Sequence, residues 1–180
     1  MLALVQAGRA GRMRAEVALV FGSNPYAPAL AAAREAGVEV ESFPDRQDDF
    51  GERLLATLKA HEIDLICLAG YLRLLPSEVL AAYPNRVLNI HPALLPKFGG
   101  KGMYGHHVHE AVIAAGETES GCSVHYVTEE YDEGAVVHQI RCEVLPIHTP
   151  EQLAARVLEL EHQAYPEAVA IVLTGSVDAN

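Results

Sequence analysis

Asn89 and His91 stand two residues apart at the end of an apolar run, in the stretch Asn-Ile-His-Pro-Ala-Leu-Leu-Pro at 89–96. Residues two apart in a strand point to one face, so these two polar side chains meet the same space. Such a pair can divide labour. The amide N–H donates to an oxygen that gains negative charge, and the imidazole moves a proton near neutral pH. A polar strand end with a satisfied histidine fits the same spacing. A second group is the acidic turn Thr-Glu-Glu-Tyr-Asp-Glu-Gly at 128–134. A carboxylate from this turn beside His91 would raise the imidazole pKa by favouring its charged form; alone, the turn also reads as a solvated hairpin. A third is Leu-Ala-Gly-Tyr-Leu-Arg-Leu-Leu at 68–75. Close backbone approach at Gly70, with an apolar wall beside Arg73, suits an aromatic heterocycle. Ordinary packing after a strand is the plainer alternative.

Two other clusters carry less. His106, His107 and His109 with Glu110 invite a metal reading, but neither an H-E-x-x-H spacing nor a thiolate partner accompanies them, and a polar helix face fits better. Arg9, Arg12 and Arg14 alternate with Gly8 and Gly11 in a spacing that matches neither a Walker A loop nor G-x-G-x-x-G. They read as a helix end and a turn leading into the next strand.

The elements that must position these residues alternate. Strand-like runs are expected at 16–21, 38–43, 64–69, 86–90, 123–127 and 136–145, and helical patterns at 27–36, 48–61, 76–82 and 105–115. The run 64–69 is continuously apolar, as a strand buried on both faces is. Residues 94–102, rich in Pro and Gly, form a loop. Thr149 and Pro150 open a last helix as N-cap and first helical residue; Pro166 kinks it or begins a second segment ending near Leu173. Alternation of this kind predicts an α/β fold, an open, mostly parallel sheet with helices on both faces, and active residues at the carboxyl ends of strands.

The chain of 180 residues is long enough for one domain with its own core. Half of its residues are hydrophobic and 21% are charged, an ordinary globular mix. A net charge of −11 argues against a general nucleic-acid binder, though a few local donors suffice for one phosphate. No apolar stretch reaches the roughly 18–20 residues of a membrane span, and the N-terminus lacks the basic start of a secretory signal. Three cysteines without a C-x-x-C pair argue against a disulfide framework and point to a reducing, cytoplasmic setting.

Together the segments at 23–24, 68–75, 88–102, 121–134 and 161–166 resemble, in order and spacing, the folate-dependent phosphoribosylglycinamide formyltransferase family. The resemblance covers nearly the whole chain. It implies a Rossmann-like formyltransferase fold and transfer of a formyl group from 10-formyltetrahydrofolate, a cosubstrate, to the amine of glycinamide ribonucleotide, with no metal and no bound cofactor. It implies catalytic roles for Asn89 on the formyl oxygen, His91 as proton shuttle, and Asp132 as the group that holds a water and raises the pKa of His91. It assigns folate binding to Leu72, Arg73, Leu74, Leu75, Asn89, Val127, Glu129 and Tyr131, and nucleotide binding to Gly70 and Glu161. It also implies a cis Leu95–Pro96 bond.

Relatives open with a strand and a glycine-rich phosphate loop, whereas Met1 falls where their first helix has begun, so the resemblance implies a single domain truncated at its N-terminus. Its other end comes after Ser176 and Val177, earlier than in many relatives. Position 47 is Gln where some relatives carry an Arg that contacts the folate, with Arg46 beside it. Two other readings remain open: a 10-formyltetrahydrofolate hydrolase, and a folate-binding remnant without catalysis. A homodimer joined through exposed sheet edges is compatible with the pattern.

Overall fold

The computed structural model describes residues 1–175. Six strands and six helices follow one another as α1 (Leu2–Arg9), β1 (Leu19–Gly22), α2 (Pro28–Glu35), β2 (Glu39–Ser42), α3 (Phe50–Ala60), β3 (Ile66–Leu68), α4 (Ser77–Ala82), β4 (Val87–His91), α5 (His106–Ala114), β5 (Glu119–Tyr126), β6 (Val136–Glu143) and α6 (Pro150–Thr174). The α/β class expected from the alternation is the class adopted. The strands form two hydrogen-bonded sheets, β1–β2 and β3–β4–β5–β6. Pairing is parallel in β1–β2 and β3–β4, and antiparallel in β4–β5 and β5–β6.

Side chains alternate along the central strands and so feed two cores. From β4, Leu88 joins a cluster with Cys122, Val124, Val157 and Ala168, which packs the sheet against α6. Val87 points the other way, into a cluster with Phe43, Phe50, Leu54 and Val79 that packs against α3 and α4. Asn89 and His91 share the parity of Val87, so they lie on the face opposite α6. On β5 the parity of Cys122 and Val124 likewise leaves Ser123 and His125 on that opposite face. A third, smaller cluster (Val5, Val20, Leu30, Ala33 and Val38) joins β1 and β2 to α1 and α2.

Two expectations are corrected. Residues 64–69 give only a three-residue strand, and each residue of β3 is half-buried. The reason is position: β3 is an edge strand, paired with β4 on one side and with no strand on the other among the described residues. Pro166 does not divide the last helix, which runs unbroken for 25 residues. Pro166 deletes one backbone donor, but it is buried beside Ala164, Tyr165 and Ala168, and packing against the sheet outweighs the missing bond. Tyr165 adds a direct stitch, its O–H reaching Leu68 O (2.8 Å) and Leu88 O (3.0 Å) on adjacent strands. The helix starts where Thr149 predicts, with a capping box: Thr149 accepts from the Gln152 N–H, and the Gln152 side chain accepts from the Thr149 N–H. Ser176 and Val177 lie outside the described residues.

Candidate active site

The 92–105 loop leaves the end of β4 and is tied back to the sheet. Ser123 Oγ donates to Ala93 O (2.6 Å) and accepts from Leu95 N–H (3.0 Å) and from the Gln139 side chain (2.8 Å). Gln139 also donates to Leu95 O at 3.0 Å. The Leu95–Pro96 bond is cis. This network fixes where Phe98 O lies, and Phe98 O in turn accepts from His91 Nε2 at 2.7 Å. A carbonyl only accepts, so the Nε2 atom of His91 carries the hydrogen. In the neutral ring Nδ1 is then the one basic atom.

Asp132 faces that atom. Its Oδ2 lies 3.5 Å from His91 Nδ1 and accepts from Gly100 N–H at 2.9 Å. Its Oδ1 lies 3.4 Å from His125 Nε2. Asp132 holds a left-handed backbone, φ 59°, a conformation that Asp tolerates better than most residues. Behind it the turn closes at Gly134, where an added Cβ would lie 1.8 Å from Tyr126 O; that close approach requires glycine. Asn89 is directly opposite His125 in the β4–β5 ladder, and its Nδ2 lies 3.1 Å from His125 Nε2. His125 Nδ1 is 2.8 Å from Tyr126 O.

Burial sets the electrostatics. His91 is 3% exposed, and desolvation lowers its pKa below 6.5. Asp132 and the Phe98 carbonyl oppose that shift, and His125 adds to it. Asp132 raises the His91 pKa, as expected of it; burial is the larger influence and leaves the net value lowered. Such a ring contributes stability that is fully present above 6.5 and is lost as pH falls through the lowered folded value. For Asp132, burial pushes the carboxyl up. The facing His125 and His91 rings and the Gly100 N–H outweigh it and leave the pKa lowered.

Against this geometry, the family description Formyl transferase matches residues 1–169. The chain belongs to the formyl transferase family. It is 41% identical over 167 residues to the chloroplastic phosphoribosylglycinamide formyltransferase of Arabidopsis thaliana, a match covering 90% of this chain and 57% of that protein. The chain thus spans little more than half the length of that plant relative. It is 32% identical over 172 residues to phosphoribosylglycinamide formyltransferase of Escherichia coli (strain K12), covering 93% of this chain and 79% of the other. The crystal structure of glycinamide ribonucleotide transformylase 1 from Symbiobacterium toebii superposes with a TM-score of 0.88 at 38% identity, over 96% of this chain and 81% of that one.

The remaining residues expected to bind ligands lie around this centre in different ways. Leu72 and Leu74 are exposed on the loop after β3, while Leu75 is buried in the α3–α4 core. Arg73 pairs with Asp45 at 3.0 Å. Val127 packs against the same core and its N–H bonds Val87 O at 2.9 Å. Tyr131 is half-buried within electrostatic reach of Tyr71, and Glu129 is exposed. A cavity of about 220 Å³ beside this loop is lined by Asp45, Gln47, Phe50, Tyr71, Arg73 and Leu74, among others. Gln47 itself accepts from Arg53 at 2.7 Å.

Gly70, two residues beyond β3, has φ 78°, a turn that favours glycine. Glu161 is half-buried on α6, its carboxyl pushed up to about 7 by burial against a lowering by the Met1 amine. His106 and His107 engage Glu110, and His106 also Glu151, while His109 is buried. Among the described residues no group of three or more His, Cys, Asp or Glu is placed to hold a metal ion.

The sequence reading missed His125. A signal was available: Ser123 and His125 are polar residues two apart in the run 123–127 expected as a strand, the pattern that singled out Asn89 and His91.

Proposed function

We propose that this chain transfers the formyl group of 10-formyltetrahydrofolate to the primary amine of glycinamide ribonucleotide. The observation that carries this reading is the convergence of an amide donor, a histidine with one free basic nitrogen and a half-buried carboxylate at the end of β4. The names of the relatives supply the nucleotide acceptor, and the sequence resemblance supplies the folate donor.

The amine nitrogen attacks the formyl carbon, and the carbonyl oxygen becomes an oxyanion that an Asn89 N–H can meet. The new nitrogen–carbon bond leaves a proton to be removed from the amine, and His91 Nδ1 takes it. The resulting imidazolium faces Asp132 Oδ2. The bond from the formyl carbon to the folate N10 then breaks, and His91 returns the proton to N10. Formylated nucleotide and tetrahydrofolate are the products. The enzyme forms no covalent bond, and it needs no nucleophilic Ser or Cys. By the same reading the folate ring lies along residues 72–75 and 127–131, and the nucleotide lies toward Gly70 and Glu161. Three free cysteines, with the Cys67 and Cys122 thiols pushed up to about 12 by burial, suit a reducing compartment such as the cytoplasm. No described helix is long and apolar enough to cross a membrane.

The test is release of deformylated folate with and without glycinamide ribonucleotide. Nucleotide-dependent release is the expected outcome. Release independent of nucleotide would favour the hydrolase reading, and folate binding without release would overturn the enzyme reading. The pH profile of kcat should have its acid limb below pH 6.5, because a proton-accepting His91 must be neutral and burial keeps it so. The titratable groups that bear on it are Asp132, His125 and His109. Asp132→Asn removes the influence that raises the His91 pKa, so that limb should move to still lower pH while kcat falls.

A further inference from the structure

We propose that His125 is a positioning residue: its neutral Nε2 holds the Asn89 amide in the donating orientation, and the same hydrogen bond keeps the mobile proton of the site on His91. The catalytic consequence rests on the formyl-transfer reading; the hydrogen-bond assignment stands without it.

His125 is 2% exposed, so its ring nitrogens must find partners inside the protein. Nδ1 lies 2.8 Å from Tyr126 O, which can only accept, so Nδ1 carries a hydrogen. In the neutral ring Nε2 is then a bare lone pair. Two groups of opposite demand face it. The Asn89 amide nitrogen, which only donates, is at 3.1 Å. Asp132 Oδ1, which only accepts when ionised, is at 3.4 Å. The neutral ring satisfies Asn89; a protonated ring would satisfy Asp132 and displace the amide nitrogen. Without its acceptor the amide can rotate by half a turn and present Oδ1, and an oxygen cannot stabilise an oxyanion.

The two histidines are built alike around one carboxylate. Each gives one ring N–H to a backbone carbonyl, Phe98 O for His91 and Tyr126 O for His125. Each turns its other nitrogen toward Asp132. One carboxylate neutralises one imidazolium, and a charge on His125 opposes a charge on His91. The asymmetry comes from Asn89, which occupies the His125 lone pair and leaves that of His91 open to the amine. The strand geometry supports this role: Asn89 and His125 are directly opposed in the β4–β5 ladder, which puts their side chains on one face.

The first test needs no substrate. In the full chain with 15N-labelled histidine, above neutral pH, His125 should be the Nδ1–H tautomer and His91 the Nε2–H tautomer. An Nε2–H tautomer at His125 overturns the proposal whether or not the chain transfers formyl groups. The second test is kinetic. His125→Phe should lower kcat about 10- to 100-fold, somewhat less than outright loss of an oxyanion donor, with KM for the folate within about twofold of wild type. His125→Gln, whose Oε1 can accept from Asn89, should regain most of the loss. In an Asn89→Ala background, His125→Phe should add less than about twofold, because the two act through one interaction. A full multiplicative loss in that background overturns the route through Asn89. If the Phe variant fails to fold, the Gln variant and the tautomer measurement decide.

Discussion

His91→Ala is expected to lower kcat by about 10²- to 10⁴-fold, the span over which a positioned general acid–base group contributes. The size follows from how few alternatives the site holds. Nε2 is committed to Phe98 O at 2.7 Å, so Nδ1 alone is free to take the proton of the amine. Asp132 cannot replace it, since its pKa is lowered and it already accepts from Gly100. His125 cannot replace it either, since both of its nitrogens are engaged. KM for the folate should change little, because the imidazole acts on the transferring proton and not on the ring system. The substitution also leaves Phe98 O without its donor, and an unsatisfied buried acceptor costs about 1–3 kcal/mol. Rates must therefore be measured where circular dichroism shows the variant folded. Partial rescue by added imidazole is expected. A kcat within a few-fold of wild type would remove Nδ1 from the mechanism.

Asn89→Ala is expected to lower kcat by about 10²- to 10³-fold, the loss seen when one oxyanion donor is removed. The amide has two N–H groups. One is given to His125 Nε2, and the other is left for the oxygen that becomes charged. Asn89→Asp is the sharper control, since it keeps the size and replaces the donor by an acceptor next to Asp132; it should be at least as damaging as Ala. Both variants should keep the affinity for a folate analogue that lacks the formyl oxygen. Binding lost in parallel with kcat would mean that Asn89 serves the ground state and not the oxyanion.

Much of this centre could be read before the fold was known, and the reason is local geometry. Asn89 and His91 were legible because strand periodicity puts alternate residues on one face. The start of α6 was legible because Thr149, Pro150 and Gln152 form a local signal. Asp132 was only partly so: the turn offers Glu129, Glu130, Asp132 and Glu133, and nothing in composition selects among them. The resemblance singled out Asp132, and its φ of 59° fits a residue type that accepts that conformation. His125 escaped because its meaning depends on strand register. That Asn89 faces His125 is a statement about residues 36 apart in sequence. The half-burial of β3 escaped for a similar reason. An apolar run records what a strand can bury, while its neighbours decide what it does bury.

The division of the strands into two sheets bears on how the protein opens. No backbone ladder joins β1 to β3 among the described residues; Phe21 of β1 and Ile66 and Leu68 of β3 pack instead against one shared core. The β1–β2 pair, with α2 and a core of five buried residues, is a small cooperative unit beside a larger one. Units of few contacts open at lower free energy than the whole molecule. Amide protons of Val20 and Val40 should therefore exchange with deuterium well before those of Leu88 and Val124. Thermal breathing is expected to begin in this smaller unit, and Asn89, His91, His125 and Asp132 all belong to the larger one.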